Sequence, residues 1–346
     1  MDGNLLRFLL SQLFKFSKLK KTFIVAEIGV NHEGDFNKAM DLIKKADEAG
    51  VDAVKFQTYK AEHYISSTQP ERRNRAKRFQ LSREQFVMLS QEAKKRQLKF
   101  FSTPLHTNDI DFLKKISDII KISSGDLTNL ELIKYAARKY QNIIISTGLG
   151  TEKEIREAVN TVFKEKAIIR KNQGLVLMHC VSAYPTPEKE LNLANIKWLQ
   201  DNFNLLTGYS DHSLGTKACE LSIMFGVKVI EKHFTYRKEN QIFHDHAISA
   251  DPQDMKELVL KVRKAEVILG KYKRRRGISE KRNLKNMRRS YCAISDLEKG
   301  YKIKKKDLIL LRPALGFDPN ELKKVVGKSL KRKIKSGSVI KRTDVS

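Results

Sequence analysis

The segment VKVIEKHFTY (residues 227–236) decides how the chain is read, because it closes a series of eight and ends on charge. Val227, Val229 and Ile230 are β-branched residues that favour a buried strand. Glu231, Lys232 and His233 follow where that strand should end. Seven earlier runs have the same form: FIVAEIG (23–29), DAVKFQ (52–57), LKFFSTP (98–104), DIIKISS (118–124), NIIIST (142–147), GLVLMHC (174–180) and NLLTGYS (204–210). Charged, helix-periodic segments separate them. One ends on Gly50, a C-cap. Another opens with Thr151 and Glu154 at capping-box spacing, and a last helix candidate runs from Asp251 to Gly270.

Eight β units alternating with helices imply an α/β fold, a parallel (β/α)8 barrel of the TIM type over residues 22–270. An open doubly wound sheet is the competitor. Its glycine-rich fingerprint is missing after the first run, where the chain reads AEIGVNHEG rather than G-x-G-x-x-G. Residues 271–290, KYKRRRGISEKRNLKNMRRS, are dense in positive charge without apolar periodicity and read as an exposed basic linker. Residues 291–346 carry short strand-like runs, with Gly300 and Gly337 in turns, and read as a small β-rich domain.

The 346 residues carry a formal charge of +28, unevenly spread. From residue 263 onward there are 27 lysines and arginines against 8 acidic residues, so the barrel itself is only mildly basic. A basic tail fits nucleic acid, an acidic membrane surface or an anionic substrate. Nucleic acid is not expected, because base stacking needs interleaved aromatic residues and the basic run offers little beyond Tyr272. Cys180, Cys219 and Cys292 are far apart and read as buried thiols of a reducing compartment. No apolar run approaches the ~20 residues of a membrane span, and the lysine- and isoleucine-rich, cysteine-poor composition leads to the expectation of a cytoplasmic location. Residues 1–21 form a separate extension. Leu5, Leu6, Leu9, Leu10 and Leu13 make a helical stripe there, expected to dock on the protein rather than on a membrane.

In a TIM barrel the chemistry gathers at the C-terminal ends of the strands. Those ends carry Glu27, Lys55 with Gln57, Thr103, Lys121 with Ser124 and Asp126, Ser146 with Thr147, His179 with Ser182 and Tyr184, Asp211 with His212, and Glu231 to His233. Lysines mixed with hydroxyls and an amide suit a phosphate and carboxylate cradle. His212 and His233 end adjacent strands, which lie ~4.8 Å apart, so both imidazoles can share one metal with open positions left for water or substrate. With no thiolate set nearby except Cys180, a harder ion such as Mn²⁺ or Mg²⁺ is expected. Strand alternation puts Glu231 on the face of His233 and points Lys232 outward.

At these residues the chain resembles the sialic acid (N-acetylneuraminate) synthase family over roughly residues 22–343. The motifs are AEIGVNHEGD, VKFQT, FSTP, KISSGDLTN, ISTG, CVSAYPTP, GYSDH and EKHFT, in order. The C-terminal part, RRSYCAISDLEKGYKIKKKDL with LRPALG and VGK, resembles the SAF or antifreeze-like domain. The resemblance implies condensation of phosphoenolpyruvate with an N-acyl hexosamine, N-acetylmannosamine by default, giving a nonulosonic acid and phosphate by C–O cleavage. A modified sugar leading to legionaminic or pseudaminic acid is the alternative. It implies that Lys55, Gln57, Thr103, Lys121, Ser124, Ser146 and Ser182 hold phosphoenolpyruvate, and that His212 and His233 hold the metal, Mn²⁺ ahead of Mg²⁺. Glu27, Asp126, Asp245 and Tyr184 are the implied catalytic set. Arg312 matches an arginine inserted into the partner's active site, which implies a domain-swapped homodimer. The chain departs from the family pattern at Ser182, where some members have asparagine, and at NQIFHDHAIS (240–249), where many read Gly-Pro-Asp. Asp245 then takes the aspartate's role, and His244 and His246 have no counterpart.

Overall fold

The computed structural model describes residues 14–346 except Asn240 and Ile242. Eight parallel strands close into a barrel: β1 (Phe23–Gly29), β2 (Ala53–Thr58), β3 (Lys99–Pro104), β4 (Ile119–Ile122), β5 (Asn142–Ser146), β6 (Leu175–His179), β7 (Leu206–Asp211) and β8 (Val229–His233). β8 pairs with both β7 and β1, which removes any sheet edge. Each expected apolar run therefore holds a strand. The runs are apolar on both faces because a barrel strand is covered twice, by the interior and by the helices.

Alternation sorts the two faces. Ile24, Ala26, Ile28, Val54 and Phe56 point outward and pack on the surrounding helices. Val25, Ala53, Phe101, Ile119, Ile144, Val176, Met178 and Val229 fill the interior. The helices start where the local chemistry stops a strand. Asp35 caps Phe36–Ala49 by accepting from the Asn37 and Lys38 amides, and Gly50 ends it in the left-handed region at φ 83°. Thr151 and Glu154 exchange capping-box bonds at the start of Glu152–Glu165, and Asp251 and Asp254 do the same before Pro252–Leu269.

The N-terminal mouth is stoppered by residues that the sequence reading placed in a separate extension. Phe16 is fully buried, in edge contact with Phe14 (5.0 Å) and Phe23 (6.5 Å), and belongs to the barrel's interior core. The physical reason is that an open barrel bottom would expose Phe23 and Ile119, which an aromatic plug covers. The leucine stripe from Leu5 to Leu13 lies outside the described residues.

The chain divides into two compact units, residues 1–270 and 271–346. In the second unit β9 (Ser290–Ala293) pairs antiparallel with β10 (Leu308–Leu311) over a small core that includes Ile303, Phe317 and Ile340. The basic segment 271–290 differs from the linker read from its charge: it belongs to this unit and contains a helix, Ile278–Met287. Periodicity missed this helix because none of its residues is buried. Its lysines, arginine, leucine and methionine form helices readily without a core, and Glu280 caps its start by accepting the Gly277 amide at 3.2 Å.

Candidate active site

In the C-terminal half of the barrel four buried charges balance one another. Glu231 Oε1 accepts from Lys121 Nζ at 3.1 Å and from Ser210 Oγ at 2.9 Å, and its Oε2 lies 3.3 Å from Lys55 Nζ. Lys55 also pairs with Glu27 Oε2 at 3.1 Å, and Gln57 Nε2 donates to Glu27 Oε1 at 3.4 Å. The register explains the meeting: Glu27 lies beside Lys55 on β2 and beside His233 on β8, and Ser210 lies beside Glu231.

Burial drives the ionisation of this group in opposite directions. It pushes Glu27 up to about 7, with Lys55 opposing and Glu231 adding to the rise. Burial also bears on Glu231, but Lys121 and Lys55 outweigh it and hold this carboxyl below the usual range. Lys121 is pushed down by burial, whereas Glu231 and Glu27 overcome the same penalty at Lys55 and raise it.

Lys232, next in sequence, leaves the interior as strand alternation predicts. Its ammonium is 1% exposed and binds Asp211 Oδ2 at 2.8 Å and the Ser213 carbonyl at 2.6 Å. Asp211 Oδ1 in turn accepts from the Tyr209 hydroxyl and from the amide and hydroxyl of Ser213. This network pins the end of β7 and so the backbone of His212.

His212 and His233 face each other with ring centroids 5.4 Å apart, and Tyr184 lies 4.3 Å from the His212 ring. His212 Nδ1–H donates to the Val181 carbonyl at 2.7 Å, which leaves the lone pair on Nε2. Burial lowers both imidazoles, His233 well below its ordinary value with His212 adding to the effect. Both rings are therefore neutral donors. His233 Nδ1 is buried with no hydrogen-bond partner and sits 3.9 Å from Asp245 Oδ2. Among the described residues no three His, Cys, Asp or Glu groups converge tightly enough to hold an ion unaided. The pair fits a divalent ion that keeps open positions for small ligands.

On the side of β4, β5 and β6 the hydroxyls form a cradle. Ser146 Oγ and Ser182 Oγ are buried without partners, and Ser124 Oγ lies 3.0 Å from Cys180 Sγ. Gly148 keeps the space between them open. A Cβ there would fall 2.6 Å from Ser182 Oγ, 2.8 Å from Ser124 Oγ and 2.9 Å from Cys180 Sγ. Asp126, in the turn after β4, accepts from Ser123 Oγ at 2.7 Å.

These groups line one cavity of about 820 Å³, large enough for a drug-sized ligand or two metabolites. Glu27, Lys55, Gln57, Thr103, Lys121, Ser124, Asp126, Ser146, Ser182, Tyr184, His212, His233 and Asp245 all face it. Arg312 lies exposed in the second unit, just beyond β10. His244 lines the cavity and pairs with Asp245 at 2.6 Å, whereas His246 is turned into the protein, its Nδ1 2.5 Å from Thr235 Oγ1. Sequence reasoning placed Glu231 on the face of His233 but gave it no role, and it missed Ser210, Arg72, Arg75 and Phe243; all five line the cavity. The same strand alternation could have found Ser210, which lies beside Glu231. Nothing in the charged run ERRNRAKRFQ (71–80) marks Arg72 and Arg75 as facing a cavity.

The model of the NeuB family matches residues 42–274, and that of the SAF domain matches residues 288–346. An N,N'-diacetyllegionaminic acid synthase of Legionella pneumophila is 39% identical over 92% of this chain and 93% of its own. A pseudaminic acid synthase of Campylobacter jejuni is 33% identical over 96% of this chain and 99% of its own. The crystal structure of N-acetylneuraminic acid (sialic acid) synthetase from Leptospira borgpetersenii, in complex with citrate, superposes with a TM-score of 0.71 at 34% identity. The match covers 76% of this chain and 90% of that one.

The cradle makes a direct prediction. Gly148→Ala should raise the Kd for inorganic phosphate by about tenfold or more, roughly the loss of one good charge-assisted hydrogen bond, with the thermal midpoint little changed. Calorimetric titration showing unaltered phosphate affinity would remove the cradle from the account.

Proposed function

The chain belongs to the NeuB family, and from that premise we propose that it condenses phosphoenolpyruvate with a 2,4-diacylamino sugar aldehyde to give a legionaminic-type nonulosonic acid and phosphate. The observation that carries the reading is the pair of buried lysines, Lys55 and Lys121, lining one cavity with the hydroxyls of Ser124, Ser146 and Ser182. That arrangement suits a small ligand bearing both a phosphate and a carboxylate. The sugar follows the relatives. The 39% identity to a diacetyllegionaminic acid synthase supports the doubly acylated substrate over the N-acetylmannosamine that the family resemblance sets as default. The departures at Ser182 and at residues 240–249 are in accord with that change of sugar.

In this reading carbon 3 of phosphoenolpyruvate attacks the aldehyde carbon, and the carbonyl oxygen gains a proton to become a hydroxyl. Water then adds at carbon 2 and loses a proton. The tetrahedral centre then breaks its bond to the bridging oxygen, its hydroxyl proton passing to the departing phosphate, and a 2-keto acid remains. Lys55 and Lys121 hold the anionic substrate and offset charge as phosphate departs. Ser124, Ser146 and Ser182 orient its oxygens, with Gln57 and Thr103 beside Lys55. Glu27, pushed up to about 7, is divided between its two protonation states near neutral pH, and its protonated form can give the proton to the aldehyde oxygen. Asp126 and Asp245 bind sugar hydroxyls or move protons from opposite sides of the cavity, and Tyr184 packs against the sugar.

His212 and His233 would hold a divalent ion, Mn²⁺ ahead of Mg²⁺. When bound, it would supply positive charge against the aldehyde oxygen. Arg312 would be delivered from a partner subunit in a domain-swapped homodimer. The enzyme would work in the cytoplasm, and among the described residues no helix is long and apolar enough to cross a membrane.

The test is phosphate release from phosphoenolpyruvate. Release should require both Mn²⁺ and a diacetamido sugar and should stop on chelation. His212→Ala, His233→Ala and Arg312→Ala should each cost roughly a hundredfold in kcat, the scale of one lost transition-state charge contact. Full turnover in the histidine variants or after chelation would exclude the metal, and full turnover in the arginine variant would exclude the partner's contribution.

The pH profile tests Glu27. Its ordinary carboxyl value is raised to about 7, so the proton is present below that pH and lost above it. As a proton donor Glu27 should make kcat fall as pH rises through about 7. Glu27→Gln should be slow and should lack that limb. An unchanged alkaline limb in the variant would assign it to another group.

A further inference from the structure

The cavity has two unlike sides. The hydroxyl cradle comes from the ends of β4, β5 and β6. The opposite side, above β8, β1 and β2, carries an apolar cluster among polar groups that include His63, Arg72 and His244. Tyr59, Ile65 and Ala76 are buried there, with Phe79 and Phe243 packed against them. Two short helices that follow β2, Ala61–Tyr64 and Pro70–Phe79, supply most of this cluster. Phe243, from the loop after β8, meets Phe79 edge-on at 5.4 Å, and the Arg75 guanidinium lies 5.7 Å from the centre of its ring.

We propose that this cage, chiefly Ile65, Phe79 and Phe243 with Arg75 at its edge, selects the tail of the sugar: a deoxy, N-acylated end rather than a polyhydroxylated one. The inference rests on the condensation reading above and assigns the discrimination to named residues. The reacting aldehyde must lie between the two sides, near Glu27, His212 and His233, because phosphoenolpyruvate takes the cradle. The remainder of the sugar chain then extends toward the cage. An acylamino group brings an acceptor oxygen for a guanidinium and a methyl for an apolar wall, and a terminal methyl adds a second apolar group. A hydroxyl set against Ile65, Phe79 or Phe243 would lose water without gaining a hydrogen-bond partner from those side chains.

The discrimination should be moderate, because an apolar wall rejects an added hydroxyl only by about a hundredfold at most. The experiment measures kcat/KM for a 2,4-diacetamido-2,4,6-trideoxy sugar and for N-acetylmannosamine at saturating phosphoenolpyruvate. The wild type should favour the diacetamido sugar by at least about tenfold. Phe243→Ala should reduce that ratio by about tenfold, Phe243→Leu should retain most of it, and the KM for phosphoenolpyruvate should stay within about twofold in both. Thermal unfolding of each variant checks that it is folded. Equal losses for the two sugars in Phe243→Ala, or a wild type that prefers N-acetylmannosamine, would overturn the cage while leaving the condensation intact. No phosphate release by the wild type with either sugar would overturn the condensation reading and the cage with it.

Discussion

The carboxylate of Glu231, held between Lys55 and Lys121, is the interaction on which the site depends. An isolated ammonium at this depth would deprotonate rather than remain charged. Here the Glu231 carboxylate lies between the two lysines, with Glu27 beside Lys55, so their charges are held with little water around them. Such a knot is weak evidence for stability, since burying ions costs about as much as their attraction returns. Its value lies in preorganisation. In the proposed reaction, an incoming phosphate or carboxylate would meet cations that are already dehydrated and already aimed.

The three residues that end β8 have three separate tasks, sorted by the two-residue period of a strand. Glu231 faces inward and neutralises the lysines. Lys232 faces outward and binds Asp211, which anchors the end of β7. His233 faces the rim opposite His212. The outward ion pair matters to the inward chemistry because it fixes the turn that presents His212, whose tautomer is set by the Val181 carbonyl. The cavity is also divided, with the serine hydroxyls above β4 to β6 and the Phe79–Phe243 cluster on the side of β8 to β2.

Much of this was legible in the sequence, for physical reasons. Barrel strands are buried on both faces and so appear as β-branched runs, such as IIKI at 119–122 and NIIIS at 142–146. Polar residues at their ends stand out against that background, and this drew Lys55, Lys121, Ser146, His212 and His233 to one rim. Features made by segments far apart in the chain were not legible. Phe16 stoppers the barrel, yet its neighbours in sequence are lysines and another phenylalanine of a basic stretch. The Ile278–Met287 helix has no buried face to give it a period. Arg75 and Phe243 meet across 168 residues of chain, and nothing local to either announces the contact.

The central claim, that an anion held by the lysine pair is broken at its carbon–oxygen bond, is tested most directly with phosphoenolpyruvate carrying ¹⁸O in the bridging position. The account predicts that the label leaves with inorganic phosphate and that the keto oxygen of the sugar acid comes from water. Label retained in the sugar acid would mean cleavage at phosphorus and would contradict it.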